Sequence, residues 1–183
     1  MKKKKINIGA GDTKYDGFIN CDISNLFSPD YIFDLEKDKF PFKDNSVEEV
    51  LAFHVLEHLG EGYFHCLQEL YRVCVNKAKI YIKVPHYRHH TFYDDPTHKR
   101  PITIKGMLLF DQEFNKNNPY SFSKLGLLYN VNFKIIENED VLNREHPMFS
   151  YFDNLPYDEK LNIPHLYLDA VQETKMILEV IKK

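Results

Sequence analysis

Lys4-Lys5-Ile6-Asn7-Ile8-Gly9-Ala10-Gly11-Asp12, residues 4–12, is the stretch on which the fold turns. Ile6-Asn7-Ile8 alternates as a short strand does, and it runs directly into Gly9-Ala10-Gly11, a turn-forming cluster. A strand that ends in glycines is the opening of a unit in which the backbone must leave the sheet sharply or let something approach it.

Further along, two more strand patterns end at acids: Gly17 to Ile23 with Asp22, and Tyr31 to Leu35 with Asp34. Ser46 to Phe53 predicts a fourth strand. A helix follows from Val55, with Leu56, Leu59, Tyr63, Phe64, Leu67, Leu70 and Tyr71 recurring at three and four. Lys77 to Val84 alternates as a fifth strand, which Pro85 stops. Thr103 to Asn115 and Ser121 to Tyr129 read as helical, and Val131 to Glu137 and the stretch from Leu166 to Ile181 as strands. This alternation predicts an α/β fold, a mostly parallel sheet with helices on both faces.

The bulk numbers agree with a single domain over residues 1–183. Within it, residues 1–85 are expected to form one half of the sheet, and 86–183 to supply a loop and complete the sheet. With 43% hydrophobic and 28% charged residues, the composition gives no ground for disorder. A formal net charge of −3 excludes a global basic field and disfavours nucleic acid as partner; Lys2 to Lys5 read as a solvated end. Three cysteines, Cys21, Cys66 and Cys74, lack metal-ligand spacing and suit a reducing compartment. No apolar run is long enough to cross a bilayer. The expected location is cytoplasmic.

In open α/β sheets ligands bind beyond the carboxyl ends of the strands, where the strand order reverses. Gly9 and Gly11, then Asp22, then Asp34 stand at three consecutive strand ends, and a carboxylate there can accept both hydrogen bonds of a ribose diol. Together they describe an adenosine pocket. Dinucleotide folds place a full helix between the glycine turn and the ribose acid, about 20 residues on. Here five residues, Asp12 to Asp16, separate Gly11 from Gly17. Asp12 would repel a pyrophosphate but favours a ligand with an amino group and a sulfonium. S-adenosylmethionine fits and NAD fits poorly.

Ile6-Asn7-Ile8-Gly9-Ala10-Gly11, Gly17-Phe18-Ile19-Asn20-Cys21-Asp22-Ile23, Phe33-Asp34-Leu35 with Phe40-Pro41-Phe42-Lys43-Asp44-Asn45-Ser46, and Phe53-His54-Val55-Leu56-Glu57-His58-Leu59 follow one another in this order. The series resembles the class I S-adenosylmethionine-dependent methyltransferases, their small single-domain members above all. The resemblance implies a Rossmann-like sheet and S-adenosylmethionine as cofactor. It implies that Gly9, Ala10 and Gly11 line the methionine part, that Asp22 holds the ribose hydroxyls with Ile23 beside it, and that Asp34 and Leu35 flank the adenine. His54 closes the pocket. Two departures stand out: Asn7 occupies a position often acidic in the family, and the third glycine of the turn is missing. Asp12 or backbone carbonyls are then the expected holders of the cofactor's amino group.

Two further motifs compete. His54-Val55-Leu56-Glu57-His58 matches the H-x-x-E-H pattern of inverted zincins, but His54 falls at a strand end and the resemblance accounts for these residues without metal; no metal ligand is assigned. Asn117-Asn118-Pro119-Tyr120 resembles the Asn-Pro-Pro-Tyr motif of amino-group methyltransferases, but it follows the fifth strand, not the fourth, and a turn explains it.

After the fifth strand, His86, His89, His90, Asp94, Asp95, His98 and Arg100 crowd one segment. Three readings remain open there: a histidine base, a metal site, or a turn around Pro96 with packing histidines and Arg100 on a loop carboxylate. The candidates for a base are His86 and His98, with Asp95 orienting a histidine. The function expected is methyl transfer to an oxygen or nitrogen of a small-molecule acceptor, a metabolite, sugar or nucleotide. A nonenzymatic S-adenosylmethionine sensor or partner subunit and an NAD-dependent oxidoreductase are the alternatives.

Overall fold

A computed structural model describes residues 3–118 and 123–182; Pro119 and Tyr120 of the Asn-Asn-Pro-Tyr turn and the start of the helix expected from Ser121 lie outside the described residues. Seven strands form one sheet in the order β3-β2-β1-β4-β5-β7-β6. They are β1 (Lys4–Ile8), β2 (Ile19–Asp22), β3 (Tyr31–Ile32), β4 (Val47–Phe53), β5 (Cys74–Pro85), β6 (Phe133–Leu142) and β7 (Val171–Val180). The first five run parallel, and β7 is antiparallel to both of its neighbours.

The expected strands are all present, with shifts that have local causes. The third ends at Ile32, because Asp34 accepts the Glu36 amide (2.8 Å) and closes a turn, while Phe33 and Leu35 fold into the core. The helix expected from Val55 does not start there. Leu56–His58 is one 3-10 turn, and helix α1 runs only over Tyr63–Val73. Glu36 Oε1 takes the amides of Gly60 (2.6 Å) and Gly62 (3.1 Å), so the chain between the two pieces is tied to a neighbouring loop. Gly62 is needed there, since a Cβ would sit 2.3 Å from the Glu36 backbone oxygen.

Four short helices take the place of the His-rich segment and the two helices expected after β5: α2 (His90–Asp94), α3 (Ile104–Leu108), α4 (Gln112–Asn117) and α5 (Leu125–Leu128); beyond β6 comes α6 (Phe149–Asp153). Side-chain caps divide them: Thr103 takes the Gly106 amide, and Asp111 takes those of Glu113 and Phe114. α7 (Tyr157–Lys160) and α8 (Ile163–Leu166) complete the set, so β7 starts five residues later than the pattern suggested.

The two sheet faces differ in chemistry. One presents Ile6, Ile8, Val50, Ala52, Ile80, Ile82, Met176 and Leu178, all buried with Leu56, Leu67 and Leu70 in the main core. Arg72 of α1 locks the 33–46 loop over that core. Its guanidinium donates to Glu69, Asp44 and the carbonyls of Phe40 and Phe42, and Glu69 accepts the Phe40 amide (2.7 Å).

Across the other face the register builds rows. Lys5, Glu49, Lys79, Glu179 and Lys134 lie side by side over five strands, alternating in sign, with Lys5 and Glu49 in a 2.6 Å ion pair. The next row is Asn7, Leu51, Tyr81, Ile177 and Glu137. Tyr81, Lys83, Lys175, Ile177 and Glu179 are all only part-buried, which fits a face that keeps contact with water.

Candidate functional site

β1 has β2 on one side and β4 on the other, so the strand order reverses between β1 and β4. There the carboxyl ends of two adjacent parallel strands leave a crevice. The Gly9–Asp12 turn follows β1 and His54 follows β4. A cavity of about 310 Å³ lies between them, lined by Asn7, Gly9, Ala10, Gly11, Asp12, Thr13, Tyr15, Phe53, His54, Lys83 and Glu173. That volume suits a small ligand.

Local forces fix each wall. Gly9 (φ +61°) and Gly11 (φ +51°) are left-handed. A Cβ on Gly9 would stand 2.3 Å from Val55 Cγ2, whereas one on Gly11 would meet nothing within 4 Å. At Gly9, then, the missing side chain makes room for Val55 of the neighbouring strand end; at Gly11 the requirement is the backbone angle. Asn7, buried in β1, donates from Nδ2 to the Thr13 carbonyl (3.0 Å) and to Asn20 Oδ1 (3.2 Å). The amide thereby closes the turn where an acid was expected by resemblance.

His54 is also left-handed (φ +51°), a conformation uncommon outside glycine and concentrated at functional sites. Its Nε2 lies 3.1 Å from Glu173 Oε2 and its Nδ1 3.5 Å from Glu57 Oε1. The hydrogen bond to Glu173, and after it the nearby Glu57 carboxylate, pushes the imidazole pKa up to about 9, while Glu173 moves below the usual carboxylate range. Beside this pair, Lys83 Nζ rests 4.4 Å above the Phe53 ring. The cleft thus holds cations, Lys83 and His54, and anions, Asp12 and Glu173.

Asp22 ends β2 beside the same turn: its Oδ2 accepts the Gly11 amide and its Oδ1 the Ser24 amide, both at 2.9 Å. Each oxygen keeps a lone pair for a further donor. Ile23 is exposed next to it. Asp34 is engaged by the Glu36 amide, which holds its pKa low, and by Lys37 Nζ at 3.0 Å. Leu35 is buried in the main core, so its side chain serves packing.

The His-rich segment is two clusters. His86, His89 and His90 turn toward β7 and the segment around Asn143 and Asp169. His86 is buried and lines a second cavity of about 390 Å³ with Tyr87, Thr103, Asp140, His165 and Thr174. Burial lowers its pKa and favours the neutral ring. His89 Nε2 pairs with Asn143 Nδ2 (3.2 Å), and its Nδ1 with Thr91 at the start of α2. Residues 95–100 instead fold onto the 54–62 segment, where the amides of Lys99 and Arg100 donate to the Glu57 carbonyl. Arg100 does not take a loop carboxylate. Its guanidinium donates to the carbonyls of Leu59 and Gly60 and lies 4.5 Å over the Tyr63 ring. Asp95 accepts from the Thr97 amide and hydroxyl, with its pKa lowered by them, and His98 Nε2 stands 3.9 Å from Asp95 Oδ2. The structure therefore brings Asp95 and His98 together and sets His86 in a different cavity.

Glu173, Lys83, Thr13 and Tyr15 also line the first cleft and were not singled out from sequence. Glu173 comes from an amphipathic strand about 120 residues beyond His54, where no motif marks it.

Comparison with known proteins follows the same lines. Residues 16–82 match the family model described as "Methyltransferase domain". No curated protein matches the sequence. Among solved structures, a SAM-dependent methyltransferase from Archaeoglobus fulgidus is similar at 18% identity and a TM-score of 0.63, over 97% of this chain and 86% of that one. A methyltransferase in complex with the Haloferax volcanii Trm112 activator is similar at 12% identity and 0.57, over 100% and 84%. An S-adenosylmethionine-dependent methyltransferase from Mesorhizobium loti follows at 9% and 0.58, over 96% and 90%. At such identities the structures carry the fold alone. Residues 16–82 are thus similar to the methyltransferase domain family, and the chain over nearly its whole length has the fold of these methyltransferases.

Proposed function

We propose that this chain is a class I methyltransferase that transfers the methyl group of S-adenosylmethionine to an oxygen or nitrogen of a small-molecule acceptor. In this reading the methionine end lies in the 310 Å³ cleft along Gly9, Ala10, Gly11 and Asp12, with Lys83 facing its carboxylate and Asp12 or Glu173 its ammonium. Asp22 receives the ribose hydroxyls, Ile23 and Asp34 border the adenine, and His54 closes the pocket. What carries the reading is the juxtaposition at the strand reversal: a left-handed glycine turn hydrogen-bonded to a strand-end carboxylate that still has acceptor capacity.

For the acceptor, the 390 Å³ cavity around His86 is the best-supported place. Glu173 lines the first cleft and Thr174, the next residue of β7, lines this one. Methyl transfer needs acceptor, methyl carbon and sulfur in line, and alignment supplies much of the rate. Where the acceptor is a hydroxyl, the neutral His86 is the group that takes its proton, a role suited to an imidazole. Asp95 and His98 then act on the other wall, next to Glu57 and His54.

Calorimetry on the purified chain tests the cofactor assignment. S-adenosylmethionine is expected to bind, NAD not, and Asp22→Ala to weaken S-adenosylmethionine at least tenfold while the fold, read by circular dichroism, is kept. An unchanged affinity in that variant would remove Asp22 from the ribose site. Incubation with methyl-labelled cofactor and fractionated small metabolites identifies the acceptor; label found only in protein or nucleic acid would overturn the small-molecule reading.

A further inference from the structure

Glu57 is the least expected carboxylate in the molecule. Its side chain is 1% exposed and neither oxygen has a hydrogen-bond partner among the described residues. A carboxylate stripped of water is costly unless charge or hydrogen bonds replace the water. What faces it is two histidines besides His54: His98 Nε2 at 4.0 Å from Oε1, and His58, whose ring packs edge-on against that of His98 at 4.6 Å.

The hydrogen bonds around these rings fix which nitrogens are free. His98 Nδ1 lies 2.8 Å from the Phe92 carbonyl, which only accepts, so Nδ1 carries the hydrogen and Nε2 the lone pair of the neutral ring. Thr97 gives its hydroxyl hydrogen to Asp95 Oδ1 (2.6 Å), so its oxygen accepts from His58 Nδ1 (2.8 Å), leaving the lone pair of that ring on Nε2. Each of Glu57, His58 and His98 brings one ligand-type atom within 4.8 Å of those of the other two, and each ring keeps a lone pair. None of the three supplies the others with a donor. Second partners that orient ligating histidines in this way, a backbone carbonyl and a hydroxyl-carboxylate relay, are what metal sites use. A second trio, His89, His90 and Asp169, differs here: His89 is committed to Asn143 and Thr91, and Asp169 accepts the His90 amide at 2.6 Å.

We propose that Glu57, His58 and His98 bind one zinc-type divalent cation. Two imidazoles and a carboxylate are a zinc donor set, and bonds of about 2.0–2.2 Å require the three ligand atoms to draw in from their present spacing. Asp95 Oδ2, 3.9 Å from His98 Nε2, is a further oxygen for the fourth position, with water as the other occupant. The ion uses Glu57 and His58 of the H-x-x-E-H motif but replaces its first histidine by His98, from the loop after β5, because His54 points to Glu173. It clamps the 95–100 loop onto the end of β4, one residue contact from the cofactor cleft through the pair of Glu57 and His54.

The full chain, freed of metal with a chelator, is titrated with Zn²⁺ by calorimetry and with Co²⁺ by visible absorption. Expected are one equivalent of each ion, a tetrahedral Co²⁺ spectrum, and a loss of affinity of at least 100-fold in both Glu57→Gln and His98→Ala. His90→Ala, in the other trio, is expected to bind as the parent does. Glu57→Gln keeps the shape of the side chain and serves if His98→Ala fails to fold. No binding by the folded parent, or unchanged affinity in Glu57→Gln, overturns the proposal. So does a nitrogen-15 spectrum in which the His98 Nε2 resonance is unchanged by saturating Zn²⁺.

Discussion

Gly9 and His54 sit opposite each other at the mouth of the cleft, and both are held at positive φ. The fates of substitutions there differ by cause. Gly9→Ala introduces a methyl 2.3 Å from Val55 Cγ2 and an unfavourable φ, and is expected to cost about 1–3 kcal/mol in stability and most of the affinity for S-adenosylmethionine. Adding Val55→Ala removes Cγ2 but leaves the Cβ of residue 55, 2.6 Å from the new methyl, and the positive φ, so thermal melts should show the double variant regaining only a small part of the Gly9→Ala loss. Gly11→Ala meets no neighbour and is expected to lose only the backbone share, about 1 kcal/mol. Most of the first wall was legible in the sequence for one reason: Gly9, Gly11, Asp22 and His54 each stand at a strand end, and strand ends in an open parallel sheet converge. Lys83 and Glu173 were not legible. Each is one polar position in an alternating strand, and only the register of β5 with β7 aims them at the same cleft.

Arg72 carries the comparable burden for whole elements. It joins α1 to the 33–46 loop through three acceptors, the carbonyls of Phe40 and Phe42 and the Asp44 carboxylate, and Glu69 beside it is mostly buried. Arg72→Met is expected to destabilise by about 2–4 kcal/mol in denaturant unfolding, mainly by leaving Glu69 without its partner. Burial pushes the Glu69 pKa up, but Arg72 and the Phe40 amide more than offset this, and the net shift is downward. A depressed folded pKa stabilises above the unfolded value of about 4.3, and that stabilisation is lost as pH falls through the folded value. Stability of the parent should therefore drop below pH 4.5, and Glu69→Gln should flatten that part of the profile. At this scale sequence patterns located all seven strands but misjudged the helices. Periodicity continued from Leu56 to Tyr71, yet Gly60 and Gly62 gave their amides to Glu36, a partner that no local pattern contains.

Over the molecule as a whole, the row of Lys5, Glu49, Lys79, Glu179 and Lys134 makes the second sheet face a lattice of alternating sign. Glu49→Lys would place three lysines side by side and is expected to cost about 0.5–2 kcal/mol at low salt, less at 1 M, since exposed charges are screened. An effect independent of salt would mean that packing, not charge, holds that row. The position of β7 has a different kind of consequence, one of timing. β6 has β7 as its one neighbour in the sheet, and β7 enters between two strands made about 90 and 40 residues earlier. During synthesis, β6 leaves the ribosome with no strand to pair with, and His54 waits without Glu173. Neither the sheet nor the cleft has its last wall until residues 171–180 emerge, so a nascent chain stalled before them holds a cleft without Glu173.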